Sequence, residues 1–185
     1  MNLFSKAISL IDAENGKDPN MEIFENQSFP KELLYSNRMF AKLLEFCPTA
    51  SEQLQIAAKA QHICRWQSER KNYSNDRVGY LKWREDLKKI HAQLTSKILL
   101  GVGYEVEFVA RVSFLIEKKR LKKDIETQTL EDVICLVFLE FYFEPFVQKH
   151  AKEKILPIVV KTWRKMSVNG QKAALKLPFL KKISR

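Results

Sequence analysis

Residues 57–91 read AAKAQHICRWQSERKNYSNDRVGYLKWREDLKKIH. Apolar positions recur there at helical spacing, but polar and aromatic side chains occupy places where core is expected. Two of the three histidines, His62 and His91, and two of the three tryptophans, Trp66 and Trp83, lie in it. From about Asp76 to Leu100 the pattern is one long helix, with Ser74 or Asn75 available to cap it. On it Arg77, Tyr80, Arg84, Leu87 and His91 step by three and four residues into a single stripe. Leu81, Trp83, Ile90, Leu94 and Ile98 supply apolar anchoring alongside. A stripe made for packing alone would be Leu, Ile or Ala. This one carries two guanidinium groups, whose fork holds two oxygens of a phosphate or carboxylate at once. A solvated charged face is the competing reading.

Just upstream, Thr49 and Glu52 form a capping box for a helix expected to run to about Trp66. Ala57, Ala58 and Ala60 allow close helix packing, and Ala58, Gln61, His62 and Arg65 share one face. Either His62 and Arg65 line a pocket, or His62 is a hydrogen-bonded core residue beside a surface arginine. The polar connection 67–75 carries Arg70 and Tyr73.

Further out the same periodicity continues. Leu3, Phe4, Ala7, Ile8 and Ile11 make a first helix closed near Gly16, with Asp12 and Glu14 at its polar end. Residues 17–29 read as a loop. Pro30 suits the first turn of a second helix through Phe46, which carries Tyr35 and Arg38 on one side and is ended by Pro48. Gly101 and Gly103 end the long helix, and 104–117 form the next. Lys118–Lys123 is a basic run, read as a solvated loop or as a contact for a polyanion. Beyond it, Asp124 or Thr127 caps a helix whose stretch 133–139 is apolar on all sides and reads as the central buried element. Glu131 and Asp132 sit in its early turns, where they complement the helix dipole or face a cavity. Pro145 bends or ends that helix, and His150 lies in an exposed hinge. Pro157 is expected in the first turn of a helix through Trp163, and Ser167 caps a short last helix.

This is an all-α chain, a bundle of six to eight helices in a single domain over 1–178, with a basic tail at 179–185. Hydrophobic residues make up 45% of 185, enough for a core. A formal charge of +10 points to an acidic partner. Three scattered cysteines, Cys47, Cys64 and Cys135, suit reduced thiols in a cytoplasmic protein. The N-terminus shows no secretory signal, and no apolar run is long enough to span a bilayer, so no membrane partner is expected.

The segments LIDAEN, PKELLYSNRM, AAKAQHICRW, DRVGYLKWREDL, LEDVICLVFLE and KTWRKMS resemble the family known as domain of unknown function 4202 over nearly the whole chain. That resemblance brings no activity with it. A more distant one is to HD-domain phosphohydrolases, all-helical metal enzymes with an early His, a His-Asp doublet and a late Asp. Tyr35 with Arg38 stands where the early His and its Arg would be, His62 at the doublet's His, and Asp132 at the late Asp. Tyr35 and Ile63 depart from that pattern, so the resemblance implies a depleted metal centre, with His91 as a replacement ligand.

The function expected is a phosphohydrolase or related enzyme acting on a nucleotide or small phosphorylated metabolite. Arg65, Arg70, Arg77 and Arg84 bind the anion, and Trp66 or Tyr80 stacks or hydrogen-bonds. His62, His91 and Asp132 hold a divalent metal or act as acid and base. The alternative is a noncatalytic binding module for RNA or another polyanion, resting on the net charge and the basic run.

Overall fold

In the computed structural model the described residues are 2–177, with the side chain of Lys152 left aside. The expected basic tail, 179–185, lies outside them. The element order is α1 (Leu3–Asn15), β1 (Met21–Phe24), β2 (Gln27–Pro30), α2 (Lys31–Phe46), α3 (Glu52–Lys59), α4 (Arg77–Val102), α5 (Val106–Ile116), α6 (Ile125–Val137), a π-helical segment (Phe138–Tyr142), α7 (Phe143–Lys149), α8 (Lys152–Lys165) and α9 (Val168–Ala174). The fold is mostly α-helical, as expected. Among the described residues no helix is long and apolar enough to cross a membrane, and the three cysteines are free thiols.

The chain groups into two compact units. The first comprises Met1–Phe40 and Ala50–Lys119, the second Ala41–Thr49 and Arg120–Arg185. In the first, α4 packs on α1 and α5, and α3 packs on α1 and α5. Its core is small-residue rich: Ala57, Ala58 and Ala60 are fully buried beside Ile11, Ile56, Leu99, Leu115 and Ile116. Alanines at these positions let helix axes approach closely.

Several local readings need correction. Residues 17–29 contain a hairpin rather than only loop, with Met21 paired to Pro30 and Phe24 to Gln27. Its two-residue turn puts both Glu25 (φ 50°) and Asn26 (φ 61°) in the left-handed region, the signature of a type I′ turn. The helix expected to reach Trp66 stops at Lys59. Residues 60–64 turn instead, and Cys64 takes a left-handed φ of 52° while its N–H donates to Asn15 Oδ1 at 3.3 Å. His62 and Arg65 therefore sit on an irregular connection, not on a helix face. The cap of α3 is Ser51, whose hydroxyl accepts from the Leu54 N–H at 3.1 Å, and not Thr49. Ser51→Ala is expected to lower unfolding stability by about 1 kcal/mol. Thr49→Ala should leave the denaturation midpoint in place, and equal losses from the two would contradict this capping assignment.

Asp76, rather than Ser74 or Asn75, caps α4 by accepting from the Gly79 N–H at 2.6 Å. Gly103, at φ 108°, breaks α4 from α5. Residues 117–123 form turns in which Lys118, Arg120 and Lys122 take positive φ values of 58°, 54° and 70°.

In the second unit α8 and α9 both pack on α6. Leu130, Val133 and Val137 of α6 are fully buried, in keeping with its reading as a central element. Cys135, Leu136, Leu139, Phe143, Met166 and Ala174 join in one apolar cluster. Glu131 and Asp132 are buried too, 1% and 2% exposed, so neither is a surface residue tuning the helix dipole. Glu131 pairs with Lys165 at 3.0 Å. Pro157 lies inside α8 rather than in its first turn, because that helix starts earlier, at Lys152.

Candidate functional site

The polar cluster of the first unit is built on His62. Its Nε2 lies 3.1 Å from Arg65 Nη1, and its Nδ1 lies 3.2 Å from Glu32 Oε2. A guanidinium only donates, so Nε2 must accept, and the ring proton resides on Nδ1 and is donated to Glu32. Tyr35 stacks on the imidazole, with ring centroids 4.0 Å apart and planes 12° apart. The His91 ring lies 5.9 Å away.

Local sequence explains each position. Glu32 is in the first turn of α2, where its backbone N–H donates to Asp18 Oδ2 at 3.0 Å. Tyr35 follows three residues later on the same face. The left-handed turn at Cys64 ends the irregular connection and sends the chain into a short helical turn, Arg65–Gln67. Arg65 then lays its guanidinium over Trp83, 4.9 Å from the ring centroid. Trp83 is held by donating its indole N–H to the Ser68 carbonyl at 2.9 Å. Arg84 reaches the Tyr80 hydroxyl at 3.2 Å.

The α4 stripe runs from solvent into the interior. Arg77 and Tyr80 are exposed, Arg84 is half-buried, and Leu87 and His91 are each 2% exposed. The stripe thus passes from exposed and polar at its outer end to buried at its inner one.

The electrostatics are one-sided. Burial, with Arg65, Arg84, Lys118 and Lys31 added to it, holds the His62 pKa well below the usual imidazole range. Burial also lowers His91, helped by His62, Arg65 and Arg84 and opposed by a hydrogen bond with the Gln61 backbone. Both rings are neutral at pH 7. His91 Nε2 is buried and has no partner among the described residues. Glu32 is pushed from its ordinary 4.5 up to about 7, because burial outweighs the pull of Arg65 and Lys31 while Asp18 adds to it. Neither Arg65 nor Arg84 has a carboxylate within 4 Å among the described residues. Arg65 is itself lowered by burial, an effect that the attraction of Glu32 opposes and the repulsion of Arg84 adds to.

Of the residues expected from sequence, the structure brings together His62, His91, Arg65, Arg84 and Tyr80. Arg70 is spent elsewhere, donating to the carbonyls of Tyr73 at 3.0 Å, Ser74 at 2.7 Å and Asp76 at 3.2 Å. Arg77 stands exposed at the outer end. Trp66 is half-buried, and Trp83 rather than Trp66 carries the arginine. Asp132 belongs to the second unit. There Oδ1 accepts from the Ser167 N–H at 2.7 Å and from Gln128 Nε2 at 3.0 Å, and Oδ2 from the Ser167 hydroxyl at 2.5 Å. Among the described residues no group of three or more His, Cys, Asp or Glu side chains is placed to hold a metal. Both His62 nitrogens are already engaged, Nδ1 with Glu32 and Nε2 with Arg65. Ile63, at the doublet position, is fully buried core.

Glu32 was not singled out by sequence reading. The only signal for it was an acidic residue two positions after Pro30, in the first turn of a helix, a position that usually serves the dipole. Lys118 was read only as part of a basic run, yet its charge acts on His62.

The family model described as domain of unknown function (DUF4202) matches residues 5–185. No curated protein matches the chain, and no solved structure does.

Proposed function

We propose that this chain, which belongs to the family described as domain of unknown function (DUF4202), binds a phosphorylated small molecule on its first unit and hydrolyses it. A nucleotide is the first candidate. The observation that carries this reading is a pair of arginines, Arg65 and Arg84, without carboxylate partners among the described residues, beside a neutral His62 and a Glu32 whose pKa is about 7. Unmatched guanidiniums in a partly buried site favour an anion with several oxygens, because each forms charge-assisted hydrogen bonds there. Arg65 is oriented by Trp83 and Arg84 by Tyr80, so little side-chain freedom is lost on binding. The exposed ring of Tyr80 offers a face for a base.

In the hydrolytic step ionised Glu32 takes a proton from water as its oxygen attacks phosphorus, the bond from phosphorus to the ester or anhydride oxygen breaks, and that oxygen departs with its electron pair and is protonated from solvent. His62 holds Glu32 in place through Nδ1–H and accepts from Arg65 through Nε2. A carboxyl group with a pKa near 7 is well matched to proton transfer at neutral pH. The arginines offset the charge that builds on the equatorial oxygens.

The test is binding and phosphate release over a panel of nucleoside mono-, di- and triphosphates. Arg65→Ala with Arg84→Ala is expected to weaken binding at least ~100-fold, from roughly 1.5–3 kcal/mol per charged hydrogen bond. Glu32→Gln should keep binding and lose turnover, and wild-type kcat should rise with pH through about 7. Nucleotide affinity unmoved by the double arginine variant would refute the site. Binding without turnover that weakens steeply with salt would favour the noncatalytic polyanion module instead, which draws on the +10 charge.

A further inference from the structure

The second unit contains a cavity of about 530 Å³ that no residue of the phosphate site lines. Its volume is in the range that small-molecule sites occupy. The floor is apolar, made by Phe46, Leu136, Ala173 and Leu177. Two cations and an amide stand at its rim: Lys172 and Lys176, four residues apart and both exposed, and Asn169. None of these three side chains has a hydrogen-bond or ion-pair partner among the described residues.

The remaining wall is different in kind. Lys42 is a buried ammonium, its side chain 8% exposed, held by Glu45 at 2.5 Å and Glu140 at 2.6 Å. Those two carboxylates keep Lys42 charged by hydrogen bonding and attraction, against the effect of burial. Glu140 lies in the π-helical segment Phe138–Tyr142, where the α-helical hydrogen-bond ladder is interrupted. Such interruptions cost stability and recur at functional sites. Here the segment carries the carboxylate that meets Lys42 at the cavity wall. This ion group sets one ammonium against two carboxylates, and with the two rim lysines added the charge around the cavity sums to +1, its positive side being the rim.

We propose that this cavity is a second binding site, for an amphipathic anion: an aliphatic chain lying on Phe46, Leu136, Ala173 and Leu177, with its carboxylate-like head on Lys172, Lys176 and Asn169. An uncharged apolar ligand would make no use of the rim lysines, which have no ion-pair partner among the described residues. A bare anion would leave the apolar floor wet. Only a molecule with both parts satisfies both surfaces.

The experiment uses the full chain, titrated by calorimetry with decanoate, decanol and acetate. Decanoate is expected to bind saturably at one site, about tenfold or more tighter than decanol, with acetate not detectably bound. The exposed double reversal Lys172→Glu with Lys176→Glu should weaken decanoate about tenfold or more. Ala173→Leu, which fills the floor, should abolish saturation. Arg65→Ala with Arg84→Ala should retain decanoate binding, so failure of this site and failure of the phosphate site are told apart. Absence of saturable decanoate binding, or binding equal for decanol and indifferent to the charge reversal, would overturn the proposal.

Discussion

Asp132→Ala is expected to lower the unfolding free energy by about 3 kcal/mol. The carboxylate is 2% exposed and accepts three hydrogen bonds, from the Ser167 N–H, the Ser167 hydroxyl and the Gln128 amide. Ser167 in turn caps α9 by accepting from the Gly170 N–H at 3.1 Å. Removing Asp132 strands donors in a buried place and loosens the entry to α9. Asp132→Asn should cost less, because its amide oxygen still accepts and the serine hydroxyl can turn to accept from the amide nitrogen. Gly170→Ala should be destabilising by the converse route, since an added methyl carbon would lie 2.6 Å from the Asp132 carboxyl carbon. Chemical denaturation of the three variants is the measurement. If Asp132→Ala melted like wild type, the carboxylate would not be the fastening between α6 and α9 that its contacts indicate.

Glu32 governs the second large effect, a change of stability with pH. Its folded pKa, about 7, stands above the ordinary 4.5. Folding therefore favours the protonated form. The stabilisation is fully present below about pH 4.5 and is lost as pH rises through about 7, a span worth about 3 kcal/mol. His62 and His91 act with opposite sign. Their folded pKa values lie well below the usual 6.5, so their contribution is present above 6.5 and lost on acidification. The wild-type curve sums these opposed slopes, and Glu32→Gln removes one of them. Relative to wild type, the Gln variant is expected to gain about 3 kcal/mol between pH 4.5 and pH 8, read from urea midpoints across that range. A wild-type to variant difference that stayed flat with pH would mean that the Glu32 carboxyl titrates as an ordinary surface acid. It would also remove the proton acceptor from the proposed hydrolysis.

The helices were legible wherever one face repeats. The long α4 was readable from residues 76–100 because apolar anchors and the Arg77–His91 stripe hold a constant phase, and the structure places it at Arg77–Val102. The buried character of α6 followed from an apolar run with no polar side to turn outward. The hairpin at residues 21–30 was not legible, since its strands are four residues each and largely solvent-facing, and so carry no strong alternation. The stop at Lys59 escaped for a different reason. Residues 60–66 hold no Gly or Pro to mark a stop, and the Cys64 N–H finds its partner in Asn15, 49 positions away, outside any local window.

The site divides in the same way. By itself the sequence determined the mostly helical class, the long polar-to-apolar stripe of α4 and the arginines and histidines that lie along 57–91. These are properties of spacing along one chain segment. Only the tertiary structure decided which of them meet. It brought Glu32 and Tyr35 of α2 to His62, gave Arg65 to Trp83, committed Arg70 to three carbonyls, and fastened Asp132 to Ser167. Burial then set the protonation states, lifting Glu32 and lowering both histidines, because desolvation depends on what surrounds a group in space and not on its neighbours in sequence.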